Sequence, residues 1–223
     1  MMEKVQMYCV PGLGASPKIF ENLDLPKDRI GIHFLEWKIP LSLEETIEHY
    51  AERMCRDIHH KNPILLGVSF GGVMVQEMAK VIDTKKIILV SSIKSHHELP
   101  NRLRVIRNTK AYKLFPTHVA ENLEEYTKYF FGNFLKKKAE LYRMYLSVRN
   151  PEYLKWAIYQ VLHWKQDSHM DNLLHIHGTN DPVFPHKYIQ SFTPVVDGKH
   201  EMILTKAKHI SKIITDNLIS HKS

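Results

Sequence analysis

The sequence predicts an α/β protein whose mostly parallel sheet of about six strands carries helices on both faces. Three observations support this fold class. Short apolar runs alternate with helical patterns through residues 5–91, helical patterns then continue alone, and apolar runs return after residue 172. A chain of 223 residues is long enough to bury the core of one such domain with an insertion.

Six apolar runs of strand length form the predicted sheet, at residues 5–10, 30–36, 63–68, 86–91, 173–177 and 192–196. Helical patterns lie between or after them, at residues 17–23, 42–60, 71–82 and 201–218. Ser42, followed three positions later by Glu45, has the pattern of a capping box and predicts the start of the second helix. Strands that alternate with helices favour parallel pairing, because each helix carries the chain back across the sheet.

The middle of the chain departs from this alternation. From residue 93 to residue 165 no run resembles a strand, and the helical stretches are interrupted by Pro100, Pro116, Gly132 and Pro151. Aromatic residues are dense in this interval. We therefore expect an α/β core formed by residues 1–92 and 166–223, with a helical cap inserted at residues 93–165.

Composition and charge argue against several classes of protein. The net charge of +7 permits acidic partners, but the basic run at residues 136–138 lacks interleaved aromatic residues, so no nucleic-acid binding is expected. The 15 histidines are scattered without the spacing of a zinc site, and we expect no metal and no other cofactor. His175 and His177 share one face of a predicted strand and are expected to be core residues rather than metal ligands.

The cysteines and the hydropathy pattern indicate the compartment. Cys9 and Cys55 both lie in apolar patterns, which predicts reduced packing residues rather than a disulfide. No apolar run approaches the length of a membrane-spanning helix, about 18 residues. Because the strand pattern begins at Val5, we expect no signal peptide and a cytoplasmic location.

The most informative motif is Gly-Val-Ser-Phe-Gly at residues 67–71, between a predicted strand and a predicted helix. A serine on such a sharp turn takes strained backbone angles, and the flanking glycines let neighbouring backbone approach closely. The turn lifts the hydroxyl above the sheet and directs the helix N-terminus towards an oxyanion formed beside it. We therefore predict that Ser69 is a nucleophile.

A nucleophilic serine needs a base and an acid that orients the base. In an open α/β sheet both must lie on loops at the carboxyl ends of strands. Asp181 follows the fifth predicted strand and His200 follows the sixth. Asp167 and Asp171 precede a strand, and His209 lies within the last helix. Asp181 and His200 are therefore the predicted acid and base.

An oxyanion hole requires two backbone N–H donors beside the nucleophile. Phe70, immediately after the serine, supplies the first in this prediction. The second is expected from the glycine-rich turn after the first strand, with Leu13 as the preferred donor and Gly14 as the alternative. This turn is not a P-loop, because no Gly-Lys-Ser/Thr follows it.

Four motifs in order resemble those of the α/β-hydrolase superfamily: Pro-Gly-Leu-Gly at residues 11–14, Gly-Val-Ser-Phe-Gly-Gly at 67–72, His-Gly-Thr-Asn-Asp-Pro at 177–182 and Gly-Lys-His at 198–200. The resemblance spans nearly the whole chain. It implies a three-layer fold, a Ser69–His200–Asp181 triad, an oxyanion hole made by the Leu13 and Phe70 amides, and a cap domain at the position of the insertion.

Two features depart from the usual pattern of that superfamily, and a third argues against two of its reaction types. No room exists before Val5 for its N-terminal antiparallel strands, which implies a trimmed sheet of about six strands. Pro11 stands where the first loop usually has histidine. A serine at position 69 argues against haloalkane dehalogenase and epoxide hydrolase chemistry, in which relatives use an aspartate there.

The expected reaction is hydrolysis of a small carboxylic ester or thioester through an acyl-enzyme. The aromatic-rich insertion suggests an apolar cleft over the serine. Basic residues early in the insertion, Arg107 among them, offer a site for an anionic or carrier-linked acyl group, with a solvent-exposed helix face as the alternative. His96 and His97 are expected either at the cleft mouth or in an exposed loop.

Two other functions remain open at this point. The same serine site on this fold can serve a carbon–carbon bond hydrolase or lyase, and a ligand-binding protein can keep the pocket without turnover. The complete set of nucleophile, base and acid favours an enzyme. The natural substrate and the oligomeric state stay open.

Overall fold

The computed structural model describes residues 4–114, 144–167 and 170–219. Of the predicted cap at residues 93–165, the stretch 115–143 lies outside this part of the chain. Pro116, Gly132 and the basic run at residues 136–138 fall in that stretch. The division into core and cap stays a prediction.

Six parallel strands form a single sheet in the order β2-β1-β3-β4-β5-β6. The strands are β1 Val5–Val10, β2 Ile30–Phe34, β3 Ile64–Val68, β4 Lys86–Val90, β5 Leu173–Gly178 and β6 Thr193–Val195. Each was expected from an apolar run, and the predicted parallel sheet of about six strands is confirmed. The central strand β3 is buried along its whole length, as a strand covered on both faces must be.

Six α-helices accompany the sheet within the described ranges: α1 Ile47–Cys55, α2 Phe70–Met78, α3 Asn101–Asn108, α4 Pro151–His163, α5 Met202–Thr205 and α6 Ala207–Ile219. Short 3₁₀ turns lie at Pro17–Phe20, His96–Glu98, Ala111–Leu114 and His186–Tyr188. In this part of the chain no helix combines the length and the apolar character needed to cross a bilayer.

The predicted start of the second helix at Ser42 is wrong. Helix α1 begins at Ile47, and Thr46 caps it by accepting the His49 N–H at 3.2 Å. Glu45 cannot complete a capping box at Ser42, because its carboxylate accepts the Leu41 N–H at 2.6 Å and pairs with Arg53 at 2.8 Å. Two further predicted helices are also shorter than expected: residues 17–23 form only a 3₁₀ turn, and the last helix is interrupted at residue 206.

Helix α4 is joined to the core through buried polar contacts as well as apolar packing. The indole N–H of Trp156 donates to the Glu45 carbonyl at 2.7 Å, and its ring stacks on Tyr50 with centroids 4.2 Å apart. Just beyond the helix, Trp164 donates to the Glu77 carboxylate at 2.6 Å. Buried bonds of this kind need their partners, so they fix the position of the helix on the core.

The chain leaving β4 is anchored by a buried ion pair. The Glu98 carboxylate accepts the Lys94 N–H at 2.7 Å and the Gln190 N–H at 2.9 Å, and lies 3.6 Å from the Lys94 ammonium. That ammonium also donates to the carbonyls of Gln190 and Ser191. The pair therefore ties the first turn after β4 to the chain that precedes β6.

Replacing Glu98 with alanine should lower the free energy of unfolding by about 3–5 kcal/mol, because Lys94 is left buried without its counter-charge. Lys212→Ala is a matched control, since its pair with Asp216 at 2.8 Å is largely exposed. That control should cost less than about 1 kcal/mol. Urea denaturation of both variants measures the difference, and equal losses would contradict the anchoring role of Glu98.

Candidate active site

Ser69 lies on the tight turn between β3 and α2, with φ of 54° and ψ of −119°. This conformation is costly for a residue with a side chain, so the surroundings must impose it. Glycine is required two positions before and two positions after the serine, because neighbouring backbone lies too close for a side chain. A Cβ at Gly67 would lie 2.2 Å from the Gly71 carbonyl oxygen, and one at Gly71 would lie 2.3 Å from the Pro11 carbonyl oxygen.

Neighbouring backbone and one serine hold the turn in place. The Ser69 N–H donates to the Val90 carbonyl at 3.0 Å. The Ser69 carbonyl accepts the Ser92 hydroxyl at 2.7 Å and the Gly72 N–H at 2.9 Å. Ser92 follows β4. Its contact with Ser69 could not be predicted, because nothing in the local sequence pattern marks a contact with a turn 23 residues away.

The structure brings Ser69, His200 and Asp181 together in one chain of hydrogen bonds. His200 Nε2 lies 2.9 Å from Ser69 Oγ, and His200 Nδ1 lies 2.9 Å from Asp181 Oδ2. Because a carboxylate can only accept, Nδ1 carries the proton and Nε2 accepts the serine hydroxyl. Asp181 comes from the loop after β5 and His200 from the loop after β6, as the sequence predicts.

The loop around Asp181 keeps its carboxylate ionised. Burial alone would raise the pKa of Asp181, but the His200 ring and the N–H groups of the loop hold that pKa below its ordinary value. The second carboxylate oxygen accepts the N–H of Val183 at 2.7 Å and of Phe184 at 2.9 Å. The Phe184 ring in turn packs beside the His200 ring, with centroids 5.6 Å apart.

His177 supports the same loop from inside the sheet. The ring is fully buried, and its Nε2–H donates to the Phe184 carbonyl at 2.8 Å. Nε2 also lies 3.7 Å from Asp181 Oδ2. Burial lowers the pKa of His177, which keeps the ring neutral. His177 was expected to be a core residue, and it lies in the core in contact with the predicted acid.

The two predicted oxyanion donors border the serine. Phe70 is the first residue of α2, where backbone N–H groups have no partner within the helix. Both Phe70 and Leu13 line the cavity at Ser69. The turn that carries Leu13 is held by Trp37, whose indole N–H donates to the Gly12 carbonyl at 2.9 Å, and the Gly14 carbonyl accepts the Val148 N–H at 3.0 Å.

The cavity over the serine is small and lined mainly by apolar side chains. Its volume is about 90 Å³. Its lining residues are Leu13, Ser69, Phe70, Leu103, Ile106, Tyr112, Ile158, Val161, Leu162, Val183, Phe184 and His200. The walls opposite the serine come from α3 and α4, both of which lie in the predicted cap.

The three residues proposed from sequence as substrate contacts lie elsewhere. His96, His97 and Arg107 are not among the residues that line the cavity at Ser69. His96 and Arg107 instead border a second, larger cleft beside α4. Another arginine of the insertion lies near the acid loop: Arg102 donates to the Val183 carbonyl at 3.1 Å, and burial lowers its pKa while Asp181 opposes that shift.

Neither a family model nor a curated protein matches this sequence, but solved structures share its fold. A bromoperoxidase from Bacillus anthracis aligns with a TM-score of 0.71 at 16% identity, covering 97% of this chain and 92% of its own. A thermophilic esterase from Thermogutta terrifontis aligns at 0.64 and 17% identity, covering 96% and 89%. An extracellular α/β-hydrolase from a Paenibacillus species aligns at 0.64 and 15% identity, covering 95% and 98%. This chain therefore has the α/β-hydrolase fold.

Proposed function

We propose that the protein is a serine hydrolase that cleaves a small carboxylic ester or thioester. The observation that carries the proposal is the chain of two 2.9 Å hydrogen bonds from Ser69 through His200 to Asp181, beside an apolar cavity. A serine paired with a histidine, whose far nitrogen faces a buried carboxylate, is the arrangement that acyl transfer needs. Hydrolases and esterases among the proteins of similar fold are consistent with it.

In the proposed reaction, Ser69 Oγ attacks the acyl carbonyl while His200 Nε2 takes its proton. Asp181 holds the imidazole in the correct tautomer and stabilises the imidazolium that forms. The same proton then passes to the departing alkoxide or thiolate, which leaves an acyl group on Ser69. A water molecule, deprotonated by His200, attacks the acyl-enzyme, and His200 then returns that proton to Ser69 Oγ as the acid leaves.

The oxyanion formed at each step needs donors in place before the reaction. We assign this role to the backbone N–H groups of Phe70 and Leu13, with Gly14 as the alternative to Leu13. The N-terminus of α2 adds its positive end beside the same point. A single preorganised donor is worth about 3–4 kcal/mol of barrier in enzymes of this type.

The cavity suggests that the acyl group is short and uncharged. Its volume of about 90 Å³ favours a chain of only a few carbons. The side chains that face it from α3 and α4, such as Leu103, Ile106 and Val161, offer no partner for a charge. The proposal therefore places an acyl chain of three carbons beyond the carbonyl in this space.

Ser69→Ala should abolish turnover of p-nitrophenyl butyrate, by at least about 10³-fold in kcat, because no other group can form the acyl-enzyme. Ser42→Ala removes an exposed serine far from the cavity and should leave the rate unchanged. A stopped or continuous absorbance assay measures both. A Ser69→Ala protein that keeps its rate would refute the proposal, and a wild-type protein that binds but never turns over the ester would favour a ligand-binding role.

Among p-nitrophenyl esters, kcat/KM should rise about fourfold per added CH₂ from acetate to butyrate, since each buried CH₂ contributes about 0.8 kcal/mol. It should fall for hexanoate, which exceeds the cavity. Val161→Ala enlarges the cavity and should move the optimum to a longer chain, whereas Val81→Ala, at an exposed position, should not. A rate that keeps rising to octanoate in the wild type would contradict this assignment of the acyl site.

A further inference from the structure

The segments that leave and re-enter the core around the predicted cap meet at one point on the surface. The 3₁₀ turn His96–Glu98 follows β4, and residues 164–167 follow α4. The His96 N–H donates to the Gln166 carbonyl at 3.0 Å, and the Gln166 side chain donates to the Lys94 carbonyl at 2.9 Å. The two segments are therefore neighbours, although about seventy residues separate them.

Three side chains that can ligate a metal ion lie close together where these two segments meet. Asp167 Oδ1 lies 3.5 Å from His96 Nδ1 and 3.6 Å from His97 Nε2. All three ligand atoms lie within 4.8 Å of one another, and within the described ranges no other group of three or more such residues does so. These nitrogen–oxygen distances of 3.5–3.6 Å are at or beyond the limit of a hydrogen bond. They match the distance between two ligand atoms that each lie about 2.0–2.2 Å from one bound ion.

The turn that carries the two histidines is held before any ion binds. The Ser95 hydroxyl accepts the His97 N–H at 3.1 Å, and the Arg104 guanidinium donates to the carbonyls of Leu99 and His97. The rings of His96 and His97 lie close together, with centroids 3.9 Å apart. Because the backbone of the turn is already fixed, metal binding has to order only the side chains of the two histidines.

Access also suits a metal site. The side chains of Asp167 and His97 are 90% and 64% exposed, so an ion can enter from solvent and keep water ligands. His96 Nδ1 faces the Gln166 carbonyl at 3.0 Å and must release any proton it carries there when it ligates. The Gln166 carbonyl keeps its bond from the His96 backbone N–H.

We propose that His96, His97 and Asp167 bind one divalent transition-metal ion of the zinc type. Two imidazoles and one carboxylate suit zinc, cobalt or nickel better than calcium or magnesium, which prefer oxygen ligands alone. The bound ion acts as a clamp that joins the segment at residues 94–99 to the segment at residues 164–167. It thereby stabilises the base of the helices that wall the cavity at Ser69, independently of the reaction carried out there.

The test is a titration of the full-length protein with Zn²⁺ by calorimetry and with Co²⁺ by visible absorption. Wild type should bind one equivalent and give a cobalt d–d band. His97→Ala and Asp167→Asn should each weaken binding at least tenfold, a typical loss for an altered metal site. His59→Ala is the matched control, because His59 is also exposed and beside a second histidine, and it should bind like wild type.

Absence of a saturable site in the wild-type protein would overturn the proposal. Equal affinity in wild type, His97→Ala and Asp167→Asn would also overturn it, because the ion would then be bound by other histidines. Circular dichroism of the variants checks that they fold. The clamp is tested by amide hydrogen exchange: Zn²⁺ should slow exchange at residues 94–99 and 164–167 together. Binding without protection of both segments would refute the clamp. None of these readouts depends on Ser69.

Discussion

The structure depends on the strained turn at Ser69. At this turn the backbone of β1, β3 and β4 lies in close contact with the start of α2. The positive φ of Ser69 costs on the order of 1–3 kcal/mol, so it persists only because the surroundings allow no other path. Gly67 lets the start of α2 pack on β3, and Gly71 lets that start touch the first loop. Val90 and Ser92, at and after the end of β4, bind the backbone of Ser69. The same contacts place the hydroxyl beside His200 and direct the start of α2 towards the cavity.

The side of the cavity formed by α4 is positioned by a different kind of interaction. Apolar side chains of α3 and α4 form the walls, but they do not by themselves specify where α4 lies. Buried polar contacts do: Trp156 to the Glu45 carbonyl, Trp164 to Glu77, and Gln166 to Gln76. Each partner would lose a hydrogen bond if α4 moved. The position of α4 matters because a small displacement of its side chains changes the shape of a cavity of only about 90 Å³.

The sequence predicted the strands and the meeting of Ser69, Asp181 and His200, because both follow from local pattern and from one rule of parallel sheets. It could not predict contacts that a local pattern does not encode. Glu45 resembled a capping residue, yet Arg53 and the Leu41 N–H engage it. Arg107 was the arginine predicted to contact substrate, but only the fold shows that Arg102 is the arginine that reaches the Val183 carbonyl at the acid loop. The pairing of Asp167 with His96 and His97 depends on how the insertion returns to the core.

In the proposed mechanism Asp181 acts through His200 to activate Ser69. The most direct test is the rate at which a fluorophosphonate labels Ser69, followed by intact-protein mass spectrometry, in wild type, Asp181→Asn and Asp171→Asn. Asparagine at position 181 should favour the wrong imidazole tautomer and slow labelling by about 10⁴-fold, as in other triads. Asp171 is exposed and precedes β5, so its variant should label like wild type. Equal labelling rates in the Asp181→Asn protein and wild type would contradict the account.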